Sequence, residues 1–166
     1  METNTIVIVI AILIVAGILT ILLSKKNHPA KPVQSNDNYS RQLQLQAYER
    51  LAVLVDRIAL PNLVQRTNQP GLSARDMQLL LTRTIKEEFD YNISQQIYVS
   101  ADTWKAVKNL KEQNQLTVNQ LANALPPDAT AMDLNKIIIE YLMNDKKGSL
   151  HEVVSEVLSY EAKTIM

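Results

Sequence analysis

The chain has no cysteine in its 166 residues. Disulfides, thiolate metal sites, cysteine nucleophiles and lipoprotein-type acylation are therefore excluded, and a reducing compartment is compatible with the composition. Glycine occurs only at Gly17, Gly71 and Gly148. Three such scattered positions cannot assemble a phosphate-cradling loop, and no P-loop, dinucleotide-binding or nucleophile-elbow pattern is present. The two histidines, His28 and His151, do not make a zinc site without thiols, and no Glu-x-x-His pair exists for a di-iron bundle. No catalytic residue, metal or cofactor is expected, and no small-molecule substrate. Charge of one sign is also missing, with 17 Lys plus Arg against 17 Asp plus Glu. A domain without basic excess has no electrostatic footprint for nucleic acid.

One long hydrophobic run is present. Ile6 to Leu23 reads IVIVIAILIVAGILTILL, with Thr20 and Gly17 as its only soft spots. A helix over residues 5–24 would span about 30 Å at about 1.5 Å per residue, the thickness of a bilayer's hydrocarbon. It has no polar stripe, so lipid on every side fits it. The β-branched richness does not argue for a strand, because a lone strand in lipid leaves its backbone unsatisfied. A cleaved secretory signal fits poorly: Met1 to Asn4 carries an acid and no base, the run is too long, and no small-x-small site follows. The sequence predicts an uncleaved single-pass anchor in the cell (inner) membrane, with the lipid bilayer as partner of Ile6–Leu23. Lys25, Lys26 and Lys31 follow the run while only Glu2 precedes it, so the positive-inside rule puts residues 1–4 outside and the C-terminal domain in the cytoplasm. Residues 25–38, KKNHPAKPVQSNDN, read as a flexible polar linker.

Residues 39–166 read as an all-α bundle of about five helices. The first, from Tyr39 to Leu60, sets Ala47, Leu51, Leu54 and Ile58 on one face with Tyr48 and Val55 beside it. Pro61 interrupts it, with room for one further turn at residues 62–64 before the break at Pro70-Gly71. The second starts at Ser73, where Ser73-x-x-Asp76 resembles a capping box with a shortened acid. Met77, Leu80, Leu81, Thr84, Ile85 and Phe89 form its inner side; Lys86, Glu87, Glu88 and Asp90 form its solvated side. Residues 92–99 fit either more helix or a short extended piece, and helix to about Gln96 is favoured. Ser100 caps a third helix with a heptad-like seam of Trp104, Val107, Leu110, Asn114, Val118, Leu121 and Leu125. Pro126-Pro127 ends it. Thr130 caps a fourth, with Leu134, Ile137, Ile138, Tyr141 and Leu142 inward. Ser149-x-x-Glu152 opens a fifth, with Leu150, Val153, Val154, Val157 and Leu158 as its apolar set. No internal repeat is visible.

Three stretches, Leu45-Gln-Ala-Tyr-Glu-Arg-Leu51, Asn68 to Gln78 (NQPGLSARDMQ) and Glu88 to Trp104 (EFDYNISQQIYVSADTW), resemble an uncharacterised family of small bacterial single-pass membrane-anchored helical proteins. The resemblance covers nearly everything after residue 40. It implies the anchor and the helical domain and supplies no catalytic residue.

The function expected from these features is that of a membrane-tethered scaffold or adaptor, binding an unknown protein partner or associating with itself. The alternatives are an accessory subunit of a membrane transporter or envelope complex, and an enzyme with a cryptic site in the bundle. Five residues are interaction candidates. Trp104 is either packed on the bundle or exposed as an anchor for a partner. Asn114 either selects a register between chains or meets a polar neighbour in its own. Arg75 lies in the turn-and-cap segment after Gly71, and Gln95 and Gln96 lie in a polar stretch able to bond a partner backbone.

Overall fold

The computed structural model describes residues 34–144 and 150–166, with side chains from residue 37 onward. The expected anchor Ile6–Leu23, its flanking Lys25, Lys26 and Lys31, and the Gly148–Ser149 cap lie outside these residues. Among the described residues the chain is all-α, and no helix there is long and apolar enough to cross a membrane. Six helices follow in order: α1 (Gln34–Ile58), α2 (Leu60–Thr67), α3 (Ala74–Tyr91), α4 (Ala101–Asn123), α5 (Ala131–Asn144) and α6 (Leu150–Ile165). A 3₁₀ helix, Ile93–Ile97, joins α3 to α4. Residues 38–166 form one compact unit.

The expected faces of α1, α3 and α4 are those the bundle buries. Ala47, Tyr48, Leu51, Leu54, Val55 and Ile58 are all at most 5% exposed. Met77, Leu81, Ile85 and Phe89 of α3 join them, as do Val107, Leu110 and Val118 of α4. Leu134 and Ile138 of α5 and Val154 and Leu158 of α6 complete the core. The driving force is the apolar area that these stripes withdraw from water, about 25 cal/mol per Å².

Several boundaries differ from the sequence expectation. α1 begins at Gln34, so the linker expected over 25–38 is helical in its last five residues. Once the buried body of a helix is nucleated, each added residue gains one hydrogen bond for one residue fixed, without the extra cost of nucleation, and Asp37 suits the positive end of the helix dipole. Residues 60–67 form a helix in their own right, making six helices rather than five among the described residues. Pro61 sits in its first turn, where a missing N–H costs nothing, and Leu60, Leu63 and Val64 are buried. Residues 93–97 are 3₁₀ rather than α. Asn92 stops α3: its backbone N–H bonds back to Phe89, and its side-chain amide donates to the Glu88 carbonyl at 2.9 Å.

Two helix–loop–helix units, α2–α3 and α4–α5, meet through their loops. Ser73 and Thr130 form an isolated antiparallel bridge. The Ala74 N–H donates to the Ala129 carbonyl and the Ala131 N–H to the Leu72 carbonyl, both at 2.9 Å. Each loop ends in a hydroxyl cap with an aspartate three residues on. Ser73 Oγ accepts from the Asp76 N–H at 3.1 Å and donates to its carboxylate at 2.7 Å. Thr130 Oγ1 accepts from the Asp133 N–H at 3.3 Å, and its own N–H donates to Asp133 at 2.9 Å. Ser73-Ala-Arg-Asp76 and Thr130-Ala-Met-Asp133 match as a local internal similarity, although the sequence shows no longer repeat. Four residues are below the length at which a repeat stands out, and only the bridge gives them significance. Gly71 turns the first loop with φ +86°, in the region glycine adopts without strain.

Tyr141, Leu150 and Val153 were expected inside and are 45%, 40% and 50% exposed. Tyr141 lies on the same side of α5 as Leu134, but in its last turn. Leu150 and Val153 lie in the first turn of α6.

Candidate functional site

An open groove of about 580 Å³ lies between α1 and the C-terminal end of α3. Val53 and Leu54 supply its apolar wall, and Glu49, Arg50, Arg57 and Glu88 its charges. Tyr91 and Asn92 close one end. The Arg50 guanidinium lies 5.6 Å from the Tyr91 ring centroid, within cation–π range, while the ring itself is 74% exposed. Beyond Tyr91, the 3₁₀ helix presents Ile93 and Ile97 to solvent.

One carboxylate organises the groove. Glu88 receives Arg57 in two-pronged fashion, Nε to Oε2 at 2.8 Å and Nη2 to Oε1 at 2.5 Å. Arg66 adds Nη1 to Oε1 at 3.1 Å and spends Nη2 on the Arg57 carbonyl at 2.9 Å. The Arg57 hydrogen bond is the main cause that holds the Glu88 carboxyl below its ordinary range; burial opposes it and Arg66 adds to it. The same pair raises the Arg57 guanidinium. Two guanidiniums on one acid leave one positive charge over, and the charges of Arg50 and Glu49 cancel. The sequence placed Glu88 on the solvated side of its helix. Its partner Arg57 is 31 residues away, a distance that helical spacing does not reveal.

The five interaction candidates do not converge. Arg75 sits in the first turn of α3 and donates to Gln78 Oε1 at 2.5 Å. Buried Gln78 passes the chain on to Asn119 of α4 at 2.7 Å. Gln95 and Gln96 lie at the opposite end of α3, about 27 Å away at the helical rise. Gln95 is buried and its amide donates to Ser94 Oγ at 3.1 Å, while Gln96 is exposed. Trp104 is half-buried and packs on Phe89 with ring centroids 5.1 Å apart, tilted by 32°. Asn114 meets a polar neighbour in its own chain: its amide donates to the Ile58 carbonyl at 2.7 Å.

A second carboxylate, Glu161 of α6, ties three elements together. It accepts from the Tyr48 hydroxyl of α1 at 2.6 Å and from Ser100 Oγ, the cap of α4, at 2.9 Å. Burial works to raise its pKa, but these hydroxyl donors outweigh burial and the net shift is downward. Burial, and then the hydrogen bond to Glu161, push the Tyr48 phenol up. Sequence reading did not single out Glu161, which looks like any polar residue of an amphipathic helix.

Fold and surfaces together define a small all-α domain built on two loop-bridged helix–loop–helix units. The chain belongs to DUF7935, a family of unknown function, whose family model matches residues 2–165. No curated protein and no solved structure matches it.

Proposed function

We propose that the chain is a membrane-tethered protein-interaction module, acting by contact rather than by covalent chemistry. Ile6–Leu23 is the tether, with residues 1–4 outside and the bundle on the cytoplasmic side. The support for this is the unbroken apolar run of 18 residues and the lysines that follow it. Protease added outside intact cells should leave residues 40–166 whole, and alkaline extraction should leave the chain in the membrane pellet. Release into the supernatant, or digestion from outside, overturns the tether or its direction.

The groove between α1 and α3 carries the interaction reading. It sets an exposed aromatic ring and an apolar wall beside Arg50 and Arg57, with Glu49 and Glu88 as the acids of its lining, and Arg66 joins Glu88 from α2. The complementary partner presents an apolar side chain together with a carboxylate. Such contacts are typical of interface anchors, where aromatics and arginine are enriched. A photoreactive residue in place of Tyr91 in the full-length protein should capture a partner in cells. The Arg50→Glu change should abolish that adduct, and the same photoreactive residue at exposed Asn109 should give none. An adduct insensitive to Arg50→Glu removes the groove from the interaction.

A further inference from the structure

The C-terminal helix carries two apolar stripes, and the bundle uses one. Val154 and Leu158 are 2% and 1% exposed and form the inner stripe. Leu150, Val153, Val157, Tyr160 and Thr164 follow each other at steps of three and four along the adjoining flank. Leu150, Val153 and Tyr160 are 40%, 50% and 71% exposed, and Val157 is half-buried. Steps of three and four are the spacing of a helix seam.

We propose that this flank of α6 is a contact between two copies of the chain, the two α6 helices packing antiparallel about a two-fold axis. The proposal rests on the interaction reading above and names one partner for it. Charge decides both direction and register. Glu156 lies on the solvent side of the seam, as does Lys163 seven residues on, and both are exposed. Seven residues are about 10.5 Å along a helix, so the two cannot pair within one chain. Neither forms an ion pair among the described residues. In an antiparallel seam with Val157 beside Tyr160 of the second copy, and Val153 beside its Thr164, Glu156 stands opposite Lys163 of the second copy. The two-fold axis makes that pair twice. Sliding by one heptad sets Glu156 against Glu156 or Lys163 against Lys163 instead, and pairing the helices in parallel sets Glu156 beside Glu161 of the second copy; like charges meet in each case and repel. The seam is short, so the contact is weak in dilute solution. It gains from the raised local concentration that a shared membrane gives to tethered copies.

The absence of native cysteine makes thiol crosslinking clean. In isolated membranes, a short bis-maleimide reagent, which alkylates both thiols without an oxidant, should crosslink full-length protein carrying Tyr160→Cys into a dimer at least about tenfold faster than protein carrying Asn109→Cys, an exposed site on α4. In the Tyr160→Cys background, Glu156→Lys or Lys163→Glu alone should slow crosslinking about tenfold, since each turns two attractive pairs repulsive. Both together should restore it. Circular dichroism of the exposed-site variants should match the parent. Crosslinking at Tyr160→Cys no faster than at Asn109→Cys overturns the proposal. So does a double reversal as slow as either single one. If Tyr91 still captures another protein in an Arg50-dependent way, the interaction reading stands while this contact falls; if neither position yields an adduct, both fall.

Discussion

Asn114 of α4 donates its side-chain amide to the backbone carbonyl of Ile58, 2.7 Å away, at the last residue of α1. The C-terminal carbonyls of a helix have no partner within it, and Pro61 removes a donor that a continuing helix would have supplied. Three successive carbonyls at this break accept from side chains, the first of them also from the Ala59 N–H at 3.3 Å. Asn62 reaches the Asp56 carbonyl at 3.1 Å and Arg66 the Arg57 carbonyl at 2.9 Å. Asn114 takes the third, which is the buried one. The polar residue in the α4 seam thus closes a helix end and fixes where α1 must stop.

Asn114→Leu should destabilise the domain by about 1–3 kcal/mol, because it leaves the buried Ile58 carbonyl unpaired. Asn114→Asp should be worse at neutral pH, since a carboxylate there faces a carbonyl and donates nothing, and it should recover in part on acidification. Urea midpoints of the three proteins at pH 7 and pH 5 check the order. Equal midpoints for Asn114→Leu and the parent would remove the cap from the account.

Glu88→Gln should cost about 1 kcal/mol. The gain is small for a carboxylate with two arginine partners because Arg57 and Arg66 are 46% and 37% exposed and water screens them. Its pH dependence is the sharper test. The folded pKa of Glu88 lies below the ordinary carboxylate value of about 4.3, so its stabilisation is complete above that value. It is lost as pH falls through the lowered folded pKa. The difference in unfolding free energy between parent and Glu88→Gln should therefore be constant above about pH 5 and shrink below pH 4.

Tyr48→Phe and Glu161→Gln test how α6 is held. Each should cost about 0.5–1.5 kcal/mol, a typical net hydrogen bond in a partly exposed place. The double variant should cost less than the sum, because Tyr48 and Glu161 bond directly at 2.6 Å. Strict additivity in denaturant midpoints would mean that the bond contributes nothing. Hydrogen exchange should speed up in α6 before the other helices in either single variant, since the tie belongs to that helix.

How much of this was legible depended on whether the information was periodic. The seam from Trp104 to Leu125 and the inner face from Ala47 to Ile58 were readable because helical burial repeats every three to four residues. The hydroxyl caps at Ser73, Ser100 and Thr130 were readable because a cap is a local bond. The groove was not. Arg57, Arg66 and Glu88 come together only once α1, α2 and α3 have packed, and each looks solvated on its own helix. The 3₁₀ helix at Ile93–Ile97 escaped for a related reason: the Asn92 amide chooses the Glu88 carbonyl, and side-chain choices of that kind are not visible in composition. Tyr141, Leu150 and Val153 were misplaced because periodicity gives a direction and not the extent of the neighbour that would cover it.

Gly71 gives a test that separates conformation from packing. A Cβ built at this position would meet nothing within 4 Å, so space does not forbid a side chain. The backbone does, because φ is +86° and an L-residue is strained there. Gly71→Ala should therefore destabilise by about 1–2 kcal/mol although it adds a single methyl group to open solvent. Gly71→Asn should cost less, since asparagine tolerates the left-handed region better than alanine. Both changes lie two residues before the Ser73–Thr130 bridge, so the backbone amides of Ala74 and Ala131 report the strain. They should lose hydrogen-exchange protection in Gly71→Ala, while the amides of α6 stay as in the parent. An alanine variant as stable as the parent would show that the turn relaxes to a negative φ without disturbing the bridge.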